Sequence, residues 1–167
     1  MRYFSSATAA ATLLSIAFAI TPGYAESPQD RAALSGLSEV KVAFDLQNGN
    51  SGALLKQLEV IEETRQSLIK QGVKPDFVIT FRGPATKLVQ TDQSQIAAED
   101  RENATKVAEK VSALKTAEGV ASMEQCAIAV RLAGTKPENV LPAIKVVGNG
   151  FISLMGYQAK GYGYIAP

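Results

Sequence analysis

One side chain in this sequence is equipped for covalent chemistry. Cys126 is the only cysteine among 167 residues, and there is no histidine. A thiolate is a nucleophile, and its reversible modifications include the persulfide. The missing imidazole removes Ser-His-Asp and Cys-His catalysis, because both need it to move the proton. A lone thiol without histidine cannot build a Cys/His zinc site, and an attached c-type haem would need Cys-x-x-Cys-His. An internal disulfide is impossible. Composition still permits an all-carboxylate metal site, but no pattern suggests one, so neither metal nor cofactor is expected.

Cys126 falls where a strand hands over to a helix. Unpaired N–H groups and the dipole at a helix amino end favour a negatively charged sulfur there. Arg82 and Arg131 are the candidate cations beside it. The alternative is a buried cysteine acting as a small apolar residue, and position alone leaves both readings open. Arg82, followed by Gly83, either binds an anion such as a sulfur oxyanion or is a surface arginine at a Pro-containing turn. Gly148-Asn149-Gly150 precedes a helix but lacks the further glycine of a dinucleotide loop, since Ser153 stands there. It reads instead as a turn that lets backbone pass near Cys126, with Asn149 and Gly150 available to substrate. Glu62 and Glu63 read as a solvated helix face, Glu124 and Gln125 as solvent-facing strand residues. Tyr157, Tyr162 and Tyr164 read as core or subunit contacts.

The elements that must position these residues alternate. Strands are expected over residues 40–44, 77–81, 120–125, 144–147 and 162–165. Helices are expected from a cap at Asn50 or Ser51 to the Gly72 stop, over 103–117, 127–133 and 151–160, with a short one after Pro84. Residues 45–50 read as a polar turn. Alternating strands and helices imply parallel strands with helices on both faces. The fold class is therefore α/β: a doubly wound, mainly parallel sheet of five strands, flavodoxin-like. Ligands of such sheets bind beyond the carboxyl ends of the strands. That rule selects the loops at 45–50, 82–84, 126 and 148–150.

The amino end carries an export pattern. Arg2 precedes a small-residue and apolar run from Ala7 to Ile20, and Gly23 and Ala25 have the spacing of a signal-peptidase site. The run is shorter than the roughly 20 residues that span a bilayer. The expected organisation is a signal peptide over 1–25, a loose lead-in over 26–37 and one domain over 38–167. The product would be a periplasmic protein with no membrane attachment after cleavage. Lys plus Arg number 17 and Asp plus Glu 16, with no basic stripe, which argues against a nucleic-acid partner.

Several segments in order carry a resemblance. They are Val78-Ile79-Thr80-Phe81-Arg82-Gly83-Pro84-Ala85, Gly119-Val120 through Cys126, Val140-Leu141-Pro142 leading into Val146-Val147, and the tail from Gln158 to Pro167. Together they resemble the DsrE/DsrF-like proteins, including secreted members. The resemblance implies an α/β fold, homo-oligomers and a link to sulfur metabolism. In relay members the cysteine matching Cys126 takes sulfur as a persulfide from a donor and passes it to an acceptor protein; other members lack it and are structural. Arg82 stands where many relatives have histidine, and the best-understood relay members are cytoplasmic. The expected function is a periplasmic sulfur carrier, the alternative a non-catalytic binding or assembly protein with Cys126 buried.

Overall fold

Alternation along each strand decides which layer a side chain meets. The computed structural model describes residues 29–94 and 96–167, together with Met1. The expected signal peptide, beyond Met1, and the start of the lead-in lie outside the described residues. The rest of the lead-in holds one helical turn, α1 (Arg31–Leu34). Strand β1 (Glu39–Leu46) leads into α2 (Ser51–Lys70), and β2 (Lys74–Phe81) into a 3₁₀ segment over Gly83–Leu88. A short 3₁₀ turn (Ala98–Asp100) precedes α3 (Arg101–Lys115), followed by β3 (Val120–Cys126) and α4 (Ala127–Leu132). Then come β4 (Lys145–Val147), α5 (Gly150–Ala159) and β5 (Gly163–Ile165). Among the described residues no helix is long and apolar enough to cross a membrane.

All pairings in the five-stranded sheet are parallel, in the order β4-β3-β2-β1-β5. The chain steps one way from β1 to β4, then returns past the whole sheet to β5. Right-handed crossovers that move one way place their helices on one face; a crossover moving back must use the other. Hence α2 and α3 pack together on one face, and α5 lies on the opposite one, where it meets β1, β2 and β3. The result is the flavodoxin-like three-layer arrangement.

The face under α2 and α3 is apolar. Val42, Phe44, Phe77, Ile79, Phe81 and Met123 meet the buried helix residues Leu54, Leu58, Val107 and Val111 there. Phe44 and Phe77 contact edge to face with centroids 5.1 Å apart. The α5 face is different. Its register aligns Asp45 with Thr80, Thr80 with Glu124 and Glu124 with Lys145, so a polar row crosses the sheet under one short helix.

Two expectations fail here. Residues 45 and 46 belong to β1 rather than to a turn, because the buried Asp45 is satisfied by donors from three other residues. Glu124 and Gln125 do not face solvent: they are 5% and 0% exposed. Glu124 accepts hydrogen bonds from the hydroxyls of Ser122, Ser153 and Tyr157, which replace the water it gives up. Gln125 donates to Thr86 on the other face.

Candidate functional site

Cys126 ends β3 and is at once the N-cap residue of α4, with extended backbone angles of −69° and 119°. Its side chain lies on the α5 face, two residues beyond Glu124. The first residue of α5 presses against it: a Cβ placed on Gly150 would lie 3.0 Å from Cys126 Cβ and 3.6 Å from its Sγ. Any larger residue there would crowd Cys126. The turn at 148–150 therefore does bring backbone to Cys126, as the sequence suggested. Asn149 supports it by capping α5, its Oδ1 accepting from the Phe151 N–H at 2.9 Å.

The thiol is 5% exposed and free of any disulfide. Cys126 lines a cavity of about 490 Å³ at the carboxyl ends of β2 and β3. Leu132 and Ile128 of α4, Phe151 of α5 and Pro84 supply apolar wall; Arg82 and Lys87 are the charged lining residues. Parallel-sheet folds place ligand sites at this position, and 300–1,000 Å³ is the usual size of a pocket for an organic molecule.

Arg82 follows directly on β2, so the register sets it beside Cys126. Its charge is already committed. Nε and Nη2 donate to the two carboxylate oxygens of Asp45 at 2.7 and 2.5 Å, and the guanidinium carbon lies 4.4 Å from the Phe151 ring centroid. Asp45 is 2% exposed and also accepts from the Tyr164 hydroxyl at 2.6 Å and from Gln47 at 3.1 Å. The bond to Asp45 raises the Arg82 pKa further above its usual value, against the opposing effect of burial. Tyr164 is pushed up as well, first by its bond to Asp45 and then by burial. This network braces the cavity wall and ties β5 to β1. Free anion binding by Arg82 does not follow from it.

Of the other expected site residues, Gly83 lines the cavity and uses a left-handed φ of +56°. Gly150 borders Cys126. Arg131 is exposed on α4 and does not line the cavity, since the short helix turns it outward. Asn149 does not line it either and acts as the cap. Tyr157 and Tyr162 pack edge to face at 5.1 Å, and Tyr162 donates to Asp76 at 2.8 Å. Glu62 pairs with Arg65, whose bond holds its carboxyl below the ordinary range, rather than standing solvated. Sequence reasoning missed Lys87 and the apolar wall. The available signal was α5, whose ten residues carry no charge.

The comparisons with known proteins agree with this architecture. A protein of unknown function, MTH1491, from Methanobacterium thermoautotrophicum superposes with a TM-score of 0.59 at 17% identity, covering 77% of this chain and 99% of that one. An uncharacterised protein of Aquifex aeolicus (strain VF5) is 27% identical over 128 residues, 77% of this chain. The chain spans 56% of that relative's length. The DsrE/DsrF-like family, which is associated with sulfur relay, matches residues 15–167. The sheet order, the strand-end cysteine and this match over most of the chain come together in one assignment: the protein belongs to the DsrE/DsrF-like family.

Proposed function

We propose that this protein is a periplasmic sulfur carrier that holds sulfane sulfur as a persulfide on Cys126 and hands it to a partner protein. The carrying observation is that the chain's only thiol lines a strand-end cavity, against the first residue of α5. The Cys126 thiolate attacks the outer sulfur of a donor, a new S–S bond forms, and the donor's leaving group departs with the electron pair. An acceptor thiolate then attacks the bound outer sulfur, and Cys126 leaves as thiolate. This is thiol–disulfide exchange chemistry applied to a persulfide. The export pattern at the amino end supports the compartment. Ile152 and Met155, exposed on α5 at 64% and 59%, support homo-oligomers, because contiguous apolar surface of this kind marks contact sites.

The low exposure of Cys126 favours a second reading, a binding or assembly module with an inert thiol. Thiol labelling of the native protein separates the two. Labelling within minutes, with no sulfur uptake by Cys126→Ser and an unchanged circular dichroism spectrum, supports the carrier. Labelling only after denaturation supports the module.

A further inference from the structure

The geometry points to an organic persulfide bearing a carboxylate as the species that loads Cys126, with Lys87 holding the carboxylate and the apolar wall holding the carbon skeleton. This rests on the carrier reading above and adds the substrate class to it. Three observations carry it.

The first is size. A cavity of about 490 Å³ is matched to an organic molecule, and an inorganic sulfur anion would leave most of it unfilled. The second is the wall. Ile128, Leu132 and Phe151 are 38%, 74% and 58% exposed, and all three line the cavity. Apolar surface gains by covering carbon and gives nothing to a small hydrated anion, which would lose water without compensation.

The third is charge. The lining holds two cations, Arg82 and Lys87, and no carboxylate. Arg82 is bound through two nitrogens to Asp45 and lies over Phe151, so it acts as wall. Lys87 is exposed and takes part in no ion pair among the described residues. It is the lining group with a charge still to offer. The reaction is balanced without an added oxidant: R–S–SH and Cys126–SH give R–SH and Cys126–S–SH. The bond between the donor's two sulfurs breaks as the bond to Sγ forms, and the departing R–S⁻ takes up the proton.

The test is the rate of sulfur loading on the full mature chain, followed by quenched mass spectrometry. The probes are glutathione persulfide, cysteamine persulfide and inorganic tetrasulfide, each normalised to its reaction with a free small thiol. Loading from glutathione persulfide is expected to saturate and to exceed the normalised rates of the other two. Lys87→Gln should raise its half-saturating concentration roughly two- to fivefold, as for loss of an exposed ion pair, with Lys87→Arg restoring it. Leu132→Asn should raise it too, and both changes should affect loading from glutathione persulfide more than loading from tetrasulfide. Unsaturating loading that ignores both substitutions, or equal normalised rates from all probes, would overturn the substrate class and leave the carrier standing. No uptake on Cys126 from any probe would overturn both.

Discussion

Replacing Asp45 by alanine should be among the most costly single changes in this protein. The Asp45 side chain is fully buried and that of Arg82 is 16% exposed, so the pair is well shielded from water. The carboxylate receives two bonds from Arg82, one from Tyr164 and one from Gln47. Alanine strands a mostly buried guanidinium, and breaking a buried pair in this way costs about 3–5 kcal/mol. The bonds from Tyr164 and Gln47 matter less, because both donors are uncharged and can turn to water. For a chain of this size, ~4 kcal/mol lowers the melting temperature by roughly 10–15 °C. Urea unfolding and calorimetry measure it. The double variant Asp45→Ala/Arg82→Met removes both charges and should cost well under the sum of the two single changes. A single-variant loss below about 1 kcal/mol, or strict additivity, would refute the view that this pair is shielded and braces the cavity wall.

Gly150→Ala would set a methyl group against Cys126, 3.0 Å from its Cβ. It should cost about 1–3 kcal/mol in urea unfolding and slow native thiol labelling. Tyr162 is pushed up to about 12, first by burial and then by its bond to Asp76. The unfolded chain ionises this phenol from about pH 10 while the folded chain keeps it neutral. Its contribution to stability is therefore full below pH 10 and lost as pH rises towards 12. Tyr162→Phe should flatten that part of the stability profile and remove a late step from the ultraviolet phenol titration. Asn50→Ala deletes the acceptor for the Ala53 N–H, 2.8 Å away, and should lower stability by about 1 kcal/mol, read from the urea midpoint.

The layers of this fold were legible because they depend on local pattern. Leu54, Leu58, Ile61 and Leu68 mark one helical face, and all four are buried; residues 77–81, apolar but for Thr80, are all buried in β2. The α5 face was not legible in the same way. Glu124 looks like a solvent-facing strand residue until Ser153 and Tyr157, 29 and 33 positions away, arrive to satisfy it. Arg82 looks free until the sheet register returns Asp45 from 37 positions earlier. These pairings are made by topology, so no window of sequence contains them. Cys126 was singled out by its type and its place at a strand end. Its tight contact with Gly150 depends on α5 crossing back beneath the sheet, which follows from the handedness rule only once the strand order is known.

The most direct test of the central claim is intact-mass spectrometry of the purified protein before and after incubation with polysulfide, and again after reductant, with Cys126→Ser in parallel. The account predicts a gain of one sulfur atom on the wild-type chain, mapped to Cys126, reversed by reductant and absent from the variant. A native chain whose mass never changes, or a variant that gains sulfur equally, would contradict it.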